Sequence, residues 1–167
     1  MPEGLGRRFL GYDRRWPLPN VWLGVSVEDQ KTADDRVSIL LEETPAALRF
    51  ISAEPLLDRV ELFAFLKTPL RDECMGNLGA GDTPGLDWVI VGGESGPGAR
   101  TFDLDWARAI VTECQKANVP VFMKQIGAYA FDGNDHVKVG RKGGDMDAWP
   151  PWISELRIRE FPSPRGG

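Results

Sequence analysis

Three glutamates and one lysine are the residues of this sequence whose types and spacing favour chemistry. Each glutamate ends an apolar, β-branched stretch after a small residue, and the lysine closes a fourth apolar stretch. Carboxylates that lie close together repel one another, so such a group needs a proton, a cation or a positive ligand group nearby. The candidate catalytic residues are Glu28, Glu54, Glu94 and Lys124.

Three different groups could supply that positive charge. Lys124 is one, and a hard divalent ion such as magnesium or manganese, which prefers oxygen ligands, is another. The third is the ammonium group and ribose hydroxyls of a bound small molecule. A zinc site is excluded because the chain has one histidine and two isolated cysteines, and we assign no residue as a metal ligand.

The glycine-rich stretch GGESGPG, residues 92–98, is a weaker candidate for binding. Successive glycines expose backbone N–H groups that can hold a phosphate, but they also simply permit a tight turn. The stretch lacks the Lys-Ser/Thr pair of a P-loop. Arg100 follows it and is a candidate for binding a carboxylate or phosphate, with an ordinary surface arginine as the alternative.

The four apolar stretches predict strands that position these residues. Side chains alternate between the two faces of a strand, so residues of the same parity share a face. The odd-numbered residues are nearly all aliphatic and predict a face covered by helices. The even-numbered residues change from aromatic to small to charged: Trp22, Gly24, Ser26, Phe50, Ser52, Trp88, Ile90, Gly92 and Phe122 precede the charged strand ends.

Two helical patterns separate the strands and predict an α/β protein with parallel crossovers. Thr32 is expected to cap the first helix and Asp103 the second, with Asn118 in the left-handed conformation after it. The first helix has a predicted apolar stripe formed by Ala33, Val37, Leu40 and Leu41. We expect an irregular lead-in over residues 1–19, and a loop or hairpin over residues 127–167 that packs on the core.

Composition narrows the class of protein. The 167 residues, 42% hydrophobic and 27% charged, fit one soluble domain. A net charge of −5 gives no support to nucleic-acid binding, and no apolar run is long enough to cross a bilayer. Cys74 and Cys114 are forty residues apart and suit a reducing cytoplasm.

Five blocks of sequence together carry a resemblance to a known family. They are NVWLGVSVEDQKTADDR, RFISAEPLL, DWVIVGGESGPGAR, VPVFMKQIG and LRIREFP, in order from Asn20 to Pro162. They resemble the C-terminal portion of the phage gene-product thirty-seven/sixty-eight family, whose function is unknown. That family is similar to radical S-adenosylmethionine (SAM) enzymes, which have a partial (β/α) barrel and an N-terminal three-cysteine motif for a [4Fe–4S] cluster.

The resemblance implies a half TIM-type barrel of parallel β/α units over residues 20–126. SAM and a [4Fe–4S] cluster are implied for the full-length family, and a phage or prophage protein in the host cytoplasm is expected. Besides the glutamates and Lys124, the residues implied to line the mouth facing SAM and substrate are Ser26, Ser52, Gly92, Gly93 and Gln125.

The sequence departs from the family by lacking the cysteine motif. Because an iron–sulfur cluster needs closely spaced thiolates, this chain alone is not expected to hold one. Its implied partners are a missing N-terminal cysteine-bearing segment, or a second copy that associates through two exposed strand edges. A membrane partner is not expected.

Three functional hypotheses follow. The first is the C-terminal half of a radical-SAM-like protein, inactive alone. The second is a divalent-metal enzyme that uses the three glutamates with Lys124 as acid or base. The third is a non-catalytic interaction module.

Overall fold

The protein is a mixed α/β structure, as the alternating sequence pattern predicts. A computed structural model describes residues 17–66, 85–140 and 142–163. Most of the predicted lead-in, Cys74 and most of the 76–85 loop lie outside these ranges. The elements are β1 (Trp22–Ser26), α1 (Gln30–Glu42), β2 (Leu48–Ala53), β3 (Trp88–Gly92), β4 (Phe102–Asp103), α2 (Leu104–Lys116), β5 (Val121–Gln125), β6 (Ala130–Asp132) and β7 (Asp135–Val137).

The four predicted strands form one parallel sheet in the order β1-β2-β3-β5. The buried side chains of both helices join the odd-numbered strand residues in a single core. Ile51, Val89, Val91 and Met123 are completely buried there. The odd-numbered face is therefore the helix-covered face that the sequence predicts.

The even-numbered face, called the open face because no helix of the described ranges between the strands packs on it, carries a band of aromatic rings. Trp88 contacts the rings of Trp22, Phe50, Phe122 and Phe161, with centroid separations of 5.5–6.0 Å. The Phe50 ring lies over Gly24, where an added Cβ would sit 2.6 Å from it. The glycine thus leaves room for the end of the Phe50 ring beside β1.

Both helices begin at acidic caps. Asp29, not Thr32, is the N-cap of α1: its side chain accepts from the Thr32 N–H, and the Thr32 hydroxyl accepts from the Asp29 N–H. The predicted cap is wrong because Thr32 is the reciprocal partner within this capping box. Asp103 caps α2, and Asn118 has φ 53°, as predicted. The predicted stripe of α1 is confirmed, since its buried residues are Ala33, Val37, Leu40 and Leu41.

Within the tail, for which a loop or hairpin was predicted, β6 and β7 pair antiparallel around Gly133 at φ 60°. β6 also pairs in parallel with β4, giving a small second sheet that the sequence did not suggest. Arg108 on α2 bonds to Asp132 at the end of β6, at 2.6 Å, and to Glu155 beyond it, at 2.9 Å. This arginine ties the tail to the helix layer.

The outer edge of β5 is covered by the chain itself. The Met123 N–H donates to the Ile158 carbonyl at 2.8 Å, and the Glu160 N–H donates to the Val121 carbonyl at 2.9 Å. The expectation that both strand edges are exposed is therefore wrong for this edge. The final alternating segment of the sequence reaches back and pairs with β5 in an antiparallel bridge.

No helix within the described ranges has the length and apolarity that a membrane crossing requires.

Replacing Gly93 with alanine tests how closely the chain packs beyond β3. An added Cβ would lie 2.6 Å from the Ile126 carbonyl oxygen, so the backbone would have to move. We expect Gly93→Ala to lower the free energy of unfolding by about 1–3 kcal/mol in urea denaturation. Gly140→Ala is the matched control, because no atom lies within 4 Å of its added Cβ. Equal stability of the two variants would contradict this packing.

Candidate functional site

Glu54 is the central side chain at the carboxyl end of the sheet. It follows β2 directly, and its side chain is 15% exposed. Lys124 Nζ donates to Glu54 Oε2 at 2.9 Å, and Gln125 Nε2 donates to Glu54 Oε1 at 3.0 Å. Each carboxylate oxygen therefore has its own donor, and the carboxylate is fixed in one orientation.

A bulge in β5 brings Lys124 and Gln125 to the same carboxylate. Val91 pairs with Met123, but the next residue, Gly92, pairs with Gln125, so β5 contains one extra residue. Strict alternation would place Gln125 on the helix-covered face; the irregular register re-aims its side chain. Gln125 is 8% exposed, and its Nε2 also donates to the Gly93 carbonyl at 2.9 Å.

Glu94 is held by the arginine that follows the glycine-rich turn. Arg100 Nε donates to Glu94 Oε2 at 2.8 Å and Arg100 Nη2 donates to Oε1 at 3.0 Å, a two-pronged contact. The Arg100 backbone N–H donates to Oε2 at 2.9 Å. These hydrogen bonds lower the pKa of Glu94 to about 2, the side-chain bonds contributing most.

Glu28 is paired with an arginine from the next helix. Arg36 Nη1 donates to Glu28 Oε2 at 2.9 Å and to the Ser26 carbonyl at 2.7 Å. Arg36 was not predicted from the sequence to be part of the site. Its position eight residues after Glu28, two turns into a helix that begins at the strand end, was the available signal.

The three glutamates reach the same end of the sheet, but each has its own basic partner. The pKa of Arg100 is raised mainly by its hydrogen bond to Glu94, and also by the Glu28 carboxylate, so Glu28 lies within electrostatic range of that pair. Within the described ranges, no three His, Cys, Asp or Glu side chains are placed to hold a metal ion. Arg36, Lys124 and Arg100 thus supply the positive charge that offsets repulsion among the three carboxylates.

The smaller predicted residues lie beside this charged row. Ser26 and Ser52 are direct neighbours in the β1–β2 register. They lie on the open face, each two residues before a glutamate of the row, Glu28 or Glu54. Gly92 faces Glu54, since an added Cβ would lie 3.1 Å from the Glu54 carboxyl carbon. Gly93 donates its N–H to the Gln125 carbonyl at 3.0 Å and so extends the pairing of β3 with β5.

A separate cavity of about 590 Å³ opens at the other end of the sheet, at the amino ends of β2 and β3. Leu48, Asp87, Pro120 and Phe161 are among the residues that line it, and none of the predicted site residues does. We place the candidate site at the glutamate end because the fixed charges and the β5 bulge are there.

Removing the Arg100 side chain tests its effect on Glu94. In the Arg100→Ala variant we expect the pKa of Glu94 to rise from about 2 toward its ordinary value of 4.5, without reaching it, because the backbone N–H of residue 100 still donates. Carboxyl-carbon NMR over pH 1.5–6 measures this titration, roughly the range in which carboxylates ionise.

The lowered pKa of Glu94 also determines how its contribution to stability changes with pH. Because the folded-state pKa of Glu94 is depressed, its stabilising contribution is fully present above about pH 4.5 and is lost as the pH falls toward 2. An unchanged titration in Arg100→Ala would contradict the pairing.

Replacing Gln125 with leucine tests the support of Glu54. The change removes the donor to the Glu54 carboxylate and to the Gly93 carbonyl in a buried position. We expect a loss of about 1–3 kcal/mol in the free energy of unfolding, measured by chemical denaturation. Gln115→Leu on exposed α2 surface is the control and is expected to be near neutral. The assignment fails if both substitutions have the same effect.

Comparison with known proteins identifies a family but no characterised relative. No curated protein and no solved structure matches the chain. The sequence profile of a family described as "Protein of unknown function (DUF5131)" matches residues 3–150, which is most of the chain. The chain belongs to this family, DUF5131.

Proposed function

We propose that this chain forms the SAM- and substrate-facing half of a radical-SAM-like protein and is inactive alone. The observation that carries the proposal is the row of fixed charges centred on Glu54 at the carboxyl ends of four parallel strands. Enzymes built on parallel β/α units place their chemistry at this end of the sheet. The radical-SAM part of the proposal, and its phage setting, come from the sequence resemblance.

The strand order supports the half-barrel part of the proposal. The strands neighbour one another in chain order, all run parallel, and the helices lie on one side. A (β/α) barrel is a sheet of this kind closed on itself, with helices outside. In such a barrel, the open face with Ser26, Ser52 and Gly92 would look inward.

The charged row has the chemical groups that SAM requires. SAM carries an ammonium and a carboxylate, and the row offers carboxylates beside basic groups in the Glu54–Lys124 and Glu94–Arg100 pairs. Carboxylates such as Glu28 also accept hydrogen bonds from ribose hydroxyls. When bound with its cluster, SAM supplies radical chemistry. The role of this chain would be to bind and orient SAM and its substrate.

The [4Fe–4S] cluster, by contrast, does not fit this chain. Cys114 lies on α2 with its side chain completely buried in the core, and burial raises its pKa to about 12. A thiol in that state does not act as a metal ligand. Cys74 is the only other cysteine, and a cluster needs several thiolates. We therefore assign the cluster to a cysteine-bearing segment outside this sequence.

Titration calorimetry of the chain with SAM tests the proposal. We expect saturable but weak binding, reduced about tenfold or more by Glu54→Ala, because Lys124 loses the carboxylate that fixes it and Gln125 keeps only the Gly93 carbonyl. Glu42→Ala, an exposed change at the end of α1, is the control that keeps wild-type binding. Absence of saturable SAM binding, or equal affinity of the two variants, would overturn the assignment.

A further inference from the structure

The two edges of the main sheet differ in how they are covered. The outer edge of β5 pairs with the chain's own Ile158 and Glu160. Among the described residues, β1 pairs with β2 alone, so its outer edge has no strand beside it. Unpaired edges are sites where another chain can add a strand, and proteins usually protect them.

The hydrogen bonds of β1 identify the backbone groups that face outward. The Val27 N–H donates to the Ser52 carbonyl on β2, so the odd-numbered residues of β1 direct their N–H and C=O groups toward β2. The even-numbered residues then face away. Arg36 covers the Ser26 carbonyl at 2.7 Å, which leaves Trp22 and Gly24 with outward donors and acceptors.

Apolar side chains surround this edge in both layers. Leu23 and Val25 are only partly buried, whereas Ile51 and Val89 on the inner strands are completely buried. Trp22 is 41% exposed on the open face.

The helix layer adds one more apolar group at this edge. Arg36 reaches β1 from α1, and residues three apart on a helix share a side, so Ile39 lies on the same side as Arg36. Ile39 is 54% exposed. The apolar surface beside β1 therefore continues from the strand onto the helix.

We propose that the β1 edge binds a second copy of this chain, with the two β1 strands antiparallel around a two-fold axis at Leu23. In this register, Trp22 lies opposite Gly24 of the partner subunit. The two pairs related by the axis exchange four backbone hydrogen bonds, and these use the outward groups that Arg36 leaves uncovered. The proposal does not depend on SAM binding, and a cysteine-bearing segment that paired with this edge would compete with the second copy.

Apolar contact and charge favour this self-pairing. The two Leu23 side chains would meet on the helix side, near Ile39. Residues 21–27, VWLGVSV, carry no charge, so two copies with a net charge of −5 each can meet here without direct like-charge contact. The contact is isologous, as expected of a two-fold dimer.

Sedimentation equilibrium of the whole chain over a concentration series tests the proposal. We expect the average mass to rise with protein concentration from the monomer value of 18.5 kDa toward twice that value. Ile39→Lys should weaken the dimer about tenfold or more, because it places charge beside the axis. Phe63→Lys is the matched control: Phe63 is 53% exposed, but lies on a separate turn, and its variant should dimerise like the wild type. A monomer at all concentrations, or equal dimerisation of the two variants, would overturn the proposal.

Hydrogen exchange locates the contact without any substitution. The Trp22 and Gly24 amides should become protected as the protein concentration rises, because they face away from β2 and would donate across the dimer. The Leu23 and Val25 amides point toward β2 and should be protected at every concentration. Protection of Trp22 and Gly24 that does not change with concentration would show that the second copy binds elsewhere or not at all.

Discussion

The structure depends on one constraint: the connections between the parallel strands pack on the same face of the main sheet. The helices and the described part of the connection after β2 all contribute to one core on the odd-numbered face. That face is dry, since Ile51, Val89 and Met123 have no exposed area. Within the described ranges the opposite face receives no helix from the β-α-β crossovers, and it carries aromatic rings, small side chains and charges in successive rows.

Charge at the strand ends is balanced locally. Glu28, Glu54 and Glu94 each bind a basic side chain from a different element: helix α1, strand β5 and the turn after β3. The three carboxylates therefore reach the same end of the sheet, each beside its own basic group. These are the pairs with which the ammonium and carboxylate of the proposed SAM ligand would exchange.

Local signals predicted the elements well. Alternation of apolar residues located the four strands, and helical spacing located the buried stripe of α1, because both patterns reflect burial along a single element. The cap of α1 was misplaced by three residues because both members of a capping box are typical cap residues. Long-range features were missed: the pairing of β4 with β6, and the return of residues 158–160 to the edge of β5, join segments far apart in sequence.

The sequence by itself determined the α/β class, the two faces of the sheet and the positions of the glutamates at strand ends, because these depend on residue type and on a period of two. The tertiary structure decided which groups meet. The β5 bulge turns Gln125 toward Glu54, and the α1 helix brings Arg36 to Glu28. Such contacts depend on register between strands and on the placement of one element against another, and residue type alone does not encode either.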